Sequence, residues 1–165
     1  MEIESLIVDI YKTIGDKSGW FGEGLQKEFS DDLSKRLGFR LSEKRERNRI
    51  RLSALGPKCP KHFWHSINTP ELEEKLPPYA EIKYTYGEII ESMTLMLAEA
   101  SGHRVEGRQD ELVVDGVVGH RDAVIDGVLV DIKSTSSYGF DKFKNKTIAE
   151  DDPFGYLEQL DAYLA

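Results

Sequence analysis

The stretch Val117-Val118-Gly119-His120-Arg121-Asp122-Ala123-Val124-Ile125-Asp126-Gly127-Val128-Leu129-Val130-Asp131-Ile132-Lys133 carries the fold signal of this chain. Asp126-Gly127 between two β-branched runs is the dipeptide of a two-residue type I′ hairpin turn, which needs a positive φ at both positions. Such a turn sets the register: Ile125 faces Val128, Ala123 faces Val130, and Asp122 faces Asp131. Side chains alternate along a strand, so Ala123, Ile125, Val128, Val130 and Ile132 share an apolar face directed at a core. His120, Asp122, Asp131 and Lys133 share the opposite face.

Asp115-Gly116 repeats the turn signal upstream, so three strands are expected, at 111–114, 117–125 and 128–134. Before them, residues 84–100 place Ile89, Met93, Met96, Leu97 and Ala100 at helical spacing, a predicted buried stripe that packs on the hairpin and ends at Gly102. Further upstream, 3–14 and 25–37 have helical patterns. A Gly-rich break lies between them, and Gly38 is expected to stop the second. Phe63, Trp64 and Ile67 read as buried anchors, followed by a Pro-rich connection over 69–78. Downstream, 136–150 reads as a polar, basic loop. Asp152-Pro153 is expected to cap and open a last helix.

The 165 residues suit one compact domain with a small appended part. No run approaches the roughly 18 apolar residues that cross a bilayer. The N-terminal segment mixes acids with apolar residues, unlike a secretory signal. A single cysteine, Cys59, allows neither an internal disulfide nor an iron–sulfur cluster, and its expected place is a small buried site. These features suggest an intracellular, cytoplasmic protein without a membrane partner. The net charge of −8 argues against a protein that coats nucleic acid. Residues 35–61, however, hold ten Lys and Arg against two Glu. A basic segment beside an acidic remainder fits a polyanion bound next to a cation site, and it equally fits a solvated helix face.

Two carboxylates opposite each other on one sheet face repel. Asp122 and Asp131 therefore need a compensating cation. Lys133 offers one charge; a divalent metal offers more. Aspartates are hard oxygen ligands suited to Mg2+ or Mn2+, and neither His120 nor Cys59 completes a zinc set. A carboxylate-held metal polarises a phosphodiester and acidifies water, while Lys133 can neutralise charge developing on the phosphate. The competing structural reading is a salt-bridge cluster of two aspartates and one lysine.

Asp122, eight intervening residues, then Asp131-Ile132-Lys133 resembles the signature of the PD-(D/E)XK nuclease superfamily, in particular its RecB-like branch and phage-type exonucleases. Tyr86-Gly87-Glu88-Ile89-Ile90-Glu91 resembles the first motif of that branch, with Glu91 in the ligand place and Glu88 as its competitor. Gln159-Leu160-Asp161-Ala162-Tyr163 matches its Q-x-x-x-Y motif. Ser53-Ala54-Leu55-Gly56-Pro57-Lys58-Cys59-Pro60-Lys61 resembles a segment near its DNA path. The likeness spans roughly residue 51 to the end, and relatives usually continue past the last helix.

The resemblance implies an α/β (α+β) fold: a restriction-endonuclease-like core with a mixed β-sheet flanked by helices over 83–165, truncated at its end, and an N-terminal helical, partly basic region over 1–82. It implies a deoxyribonuclease that binds Mg2+ or Mn2+ through Glu91, Asp122, Asp131 and the backbone carbonyl of Ile132. Lys133 would assist the attacking water, with Gln159 and Tyr163 as supporting catalytic residues. DNA would be held by Arg47, Arg49, Arg51, Ser53, Lys58 and Lys61, with Lys142 and Lys144 as a second basic stretch. Trp64 or Phe63 could stack on a base. An exonuclease of phage or recombination type, with an annealing or recombination protein as a further partner, is the leading expectation. An endonuclease of restriction or repair type is the alternative, and a non-catalytic DNA-binding module of the same fold ranks third. Host cytoplasm follows if the chain is viral. Polarity, strand preference and oligomeric state stay open.

Overall fold

The computed structural model describes residues 1–17, 22–42, 51–52, 59–72 and 74–164, the side chain of Phe63 excepted. Among them the order is α1 (Leu6–Asp16), α2 (Glu23–Leu41), α3 (Pro60–Asn68), α4 (Pro78–Ala100), β1 (Val105–Glu106), β2 (Glu111–Val114), β3 (Val117–His120), β4 (Ala123–Ile125), β5 (Val128–Val130), α5 (Ser137–Lys144) and α6 (Tyr156–Leu164). The fold is mixed α+β. In place of one mixed sheet, the described residues form two antiparallel ones, β1-β4-β5 and β2-β3, plus an isolated parallel bridge between Arg51 and Val118. None of the described helices is long and apolar enough to cross a membrane.

The chain divides into two compact units that interleave along the sequence. The first is Met1–Arg45, Leu76–Asp110 and Asp122–Lys133; the second is Glu46–Lys75, Glu111–Arg121 and Ser134–Ala165.

In the first unit, α1 and α2 pack on α4, and α4 packs on β1. The Asp-Gly turn forms as read, with φ 50° at Asp126 and 85° at Gly127. It pairs Ile125 with Val128, Val124 with Leu129 and Ala123 with Val130. The core joins Leu95 and Ala98 of α4 to Ala123 and Ile125, with Ile3, Leu6, Val105, Val130 and Ile132 around it. Val128, expected on the same face, is partly exposed at the sheet's end.

The buried stripe of α4 differs from the one the apolar count pointed to. Glu91, Ser92, Leu95, Met96 and Ala98 are buried, whereas Met93 is 41% exposed. Positions 91, 95 and 98 follow i, i+4, i+7 spacing. The stripe is apolar where it meets the sheet and polar where α2 supplies charged partners. The same partners explain why α2 runs through Gly38 to Leu41. A helix-interior glycine costs only about 1 kcal/mol, and Arg36 and Arg40 on either side of it bond to α4. Helix α4 closes with His103 N–H to the Ala98 carbonyl at 3.0 Å and Gly102 N–H to the Glu99 carbonyl at 2.9 Å, the paired bonds of a Schellman motif.

The expected strand 117–125 is two strands. The pairing changes at Arg121-Asp122: β3 pairs with β2, while β4 pairs with β1 and β5. His120 therefore lies in a different sheet from the β4–β5 hairpin and is exposed. β5 stops at Val130, because the Ile132 N–H bonds to the Asp122 side chain and leaves the backbone ladder.

In the second unit, the Asp115-Gly116 turn closes β2 on β3 with φ of 50° and 81°. Gly119 lies where a Cβ would come 2.5 Å from Leu52 Cδ1 and 2.9 Å from Tyr163 Cε1, so a side chain there would force those neighbours to shift. Residues 137–144 form α5 rather than a loop. Ser136 Oγ accepts the Gly139 N–H at 3.3 Å as an N-cap, a signal that Gly139 masked in the sequence. α6 begins at Tyr156, later than Asp152-Pro153, yet Asp152 still caps it by accepting the Leu157 N–H at 2.9 Å. Trp64 is 54% exposed and Ile67 is also exposed, contrary to their reading as buried anchors. Cys59 is exposed at the start of α3, not buried.

Candidate functional site

Three elements of the first unit converge on Asp122. The β4–β5 hairpin carries it immediately before Ala123, whose partner across the hairpin is Val130. Its Oδ2 accepts the Ile132 N–H at 2.6 Å, a side chain standing in for a ladder carbonyl. Asp131 Oδ1 accepts a bond from Lys133 Nζ at 2.6 Å.

Helix α4 brings Glu91. Its Oε1 accepts Arg36 Nη1 from α2 at 2.7 Å and Gln109 Nε2 at 2.7 Å. Arg36 in turn bonds Asp32 through Nε at 2.8 Å, and Ser92 Oγ donates to the same Asp32 oxygen at 2.6 Å. Gln109, from the turn after β1, also reaches Asp122 Oδ1 at 3.5 Å, the long limit of a hydrogen bond. One amide thus lies between Glu91 and Asp122. Glu88, the competitor for the first-motif role, is paired with Arg40 through Nε at 2.8 Å and Nη2.

The electrostatics follow. Asp122 is 8% exposed, and its carboxyl is pushed up to about 7. Burial acts most strongly, then the Glu91 charge, then Asp131; the Ile132 N–H and Lys133 only partly offset them. For Arg36 it is the charged form that is favoured. Burial works against its charge, but Glu91 and Asp32 outweigh burial and raise its pKa. The cluster of acids is short of positive charge at Asp122.

Glu91 Oε1, Asp122 Oδ2 and Asp131 Oδ1 accept short bonds, and Asp122 Oδ1 takes the long one from Gln109. Carboxylate oxygens are hard donors of the kind Mg2+ and Mn2+ prefer. Among the described residues, no three His, Cys, Asp or Glu side chains already converge on a single point. Ile132, read as a carbonyl ligand, contributes its N–H to Asp122.

Gln159 and Tyr163 lie in the second unit. Gln159 Nε2 donates to the Tyr163 hydroxyl at 2.6 Å, and that hydroxyl donates to the His120 carbonyl at 3.0 Å. The pair ties α6 to β3. Lys142 and Lys144 lie on α5. Lys142 pairs with Asp151 and sits 4.9 Å from the Tyr138 ring centroid, while Lys144 is exposed. Arg51 and Lys61 are exposed. Arg47, Arg49, Ser53 and Lys58 lie outside the described residues.

Sequence reasoning missed Asp32, Arg36 and Gln109. Asp32 and Arg36 do carry a local signal, opposite charges four apart on a helix. Their bonds to Ser92 and Glu91, 60 and 55 residues away, carry none. Gln109 lies in a turn with no hydrophobic period to mark it. Comparison with known proteins finds no matching family model, no matching curated protein and no matching solved structure.

Proposed function

We propose that the chain is a metal-dependent deoxyribonuclease on a restriction-endonuclease-like core, with Glu91, Asp122 and Asp131 as ligands of Mg2+ or Mn2+. The observation that carries the reading is geometric. Glu91 from α4 and Asp122 from the hairpin share the Gln109 amide, and Asp131, held by Lys133, directly follows β5. Burying acids side by side is costly unless a cation offsets their charge. Burial and the Glu91 charge raise the pKa of Asp122, a cost that a divalent ion bound beside these carboxylates would offset. Bound there, the ion would polarise a phosphodiester and acidify nearby water. Lys133 holds Asp131 through Nζ and presents a positive charge to the phosphate as its own charge grows during cleavage. Arg51 and Lys61 are exposed cations available to phosphates, and Arg47, Arg49 and Lys58 join them by sequence.

The test is incubation of linear and closed-circular DNA with the protein in Mg2+, Mn2+ or EDTA. Linear DNA should be degraded with metal and spared with EDTA. Asp131→Ala and Lys133→Ala should each lower the rate by at least about a hundredfold, the scale of losing one preorganised charge partner. Sparing of closed circles supports exonuclease action; cutting of circles supports an endonuclease of the same fold. Undiminished cleavage in both variants rejects this site.

A further inference from the structure

Gln109 is placed unlike an ordinary turn residue. Its φ is +54°, in the left-handed region that a glutamine seldom adopts. The backbone N–H bonds to the Asp122 carbonyl at 3.2 Å. That attachment aims the side chain between two acids, with Nε2 at 2.7 Å from Glu91 Oε1 and 3.5 Å from Asp122 Oδ1. Strained backbone that persists with such bonds points to a demand made by the site. Arg36 reaches the same Glu91 oxygen from the α2 side at 2.7 Å. Among the described residues, both hydrogen bonds to this carboxylate fall on Oε1.

We infer that Gln109, backed by Arg36, is a positioning residue that holds Glu91 and Asp122 as a ready-made ligand pair for the divalent cation. The inference rests on the reading of those acids as metal ligands. An amide bonded to one oxygen of a ligating carboxylate fixes its rotamer and spares the metal the work of ordering it; loss of such a partner typically weakens metal binding about 10- to 100-fold. Gln109 suits this place because it donates without adding charge. A lysine there would compete with the metal, and a glutamate would repel both acids.

The test uses Mn2+ alone, titrated into the full chain and followed by calorimetry and by the electron paramagnetic resonance of free Mn2+. Gln109→Asn is the main variant. Asparagine tolerates the left-handed backbone, but its amide is one methylene short of Glu91. Gln109→Gly keeps the backbone and removes the amide altogether. Both should bind Mn2+ about tenfold more weakly than wild type. The Mn2+ concentration for half-maximal DNA cleavage should rise in parallel while KM for DNA stays unchanged, a split that mere loss of folding would not produce. Wild-type binding that is saturable and lost in Asp122→Asn, with both Gln109 variants within twofold of wild type, overturns the positioning role and leaves the metal reading standing. No saturable Mn2+ binding by wild type overturns both.

Discussion

Asp122 is ionised in the folded protein only against opposition. Its carboxyl moves from an ordinary 3.8 to about 7, equivalent to roughly 4 kcal/mol against the charged form. Because the folded state holds the proton more tightly than the unfolded state, stability from this group is full below pH 3.8 and is lost as pH rises towards 7. Asp122→Asn keeps an acceptor for the Ile132 N–H and discards the charge. In EDTA, urea denaturation should find the variant more stable than wild type by a few kcal/mol at pH 8, with the gap shrinking steadily towards pH 5. A gap independent of pH would mean that Asp122 is ionised throughout. Added Mg2+ should reverse the order at pH 8, raising the melting temperature of wild type and leaving that of the variant unchanged. Under the proposed function, the residue that would hold the metal is thus one that the bare fold would be steadier without.

Among the elements, the β4–β5 hairpin is set by its turn. Gly127 sits at φ +85°, where a Cβ is disfavoured, so Gly127→Ala should cost about 1 kcal/mol, read as a lower urea midpoint with an unchanged slope. Gly119 makes a different demand. Its backbone φ is unexceptional, but Leu52 and Tyr163 fill the space of a side chain. Gly119→Ala should cost about 1–3 kcal/mol as an overpacking substitution, and circular dichroism melts would register it. α4 shows how an element can be found correctly and faced wrongly. Its existence follows from length and period, while the face it buries depends on Arg36, Asp32 and Arg40 of α2, which bond Glu91, Ser92 and Glu88.

For the whole molecule, the uneven spread of charge matters more than its total. The chain is acidic by eight charges, yet 35–61 is strongly basic. If that segment holds DNA by phosphate contacts, affinity should fall steeply between 50 and 200 mM salt, with log K linear in log salt. Joint replacement of Arg47, Arg49 and Lys58 by Ala should reduce the slope by about 2–3, measured by fluorescence anisotropy with labelled DNA in EDTA. A slope unchanged by the triple substitution would assign DNA contact elsewhere. Arg36 and Arg40 belong to the same run but are already committed to Glu91 and Glu88, so the run overstates the charge available to a polyanion.

The amino-acid order alone determined what short range can determine. The Asp-Gly turns, the register that sets Ala123 against Val130, the apolar hairpin face and the long helix before it all follow from dihedral preference and periodicity within a few residues. Only the tertiary structure decided where strand 117–125 breaks, which face of α4 is buried, and that Arg36 and Gln109 stand behind Glu91. Those outcomes depend on partners tens of residues apart, satisfying buried charges one by one, and no local preference encodes such pairings. The helix at 137–144 eluded the pattern for a related reason: a single serine cap outweighs a glycine in its first turn, a balance of about 1 kcal/mol on each side.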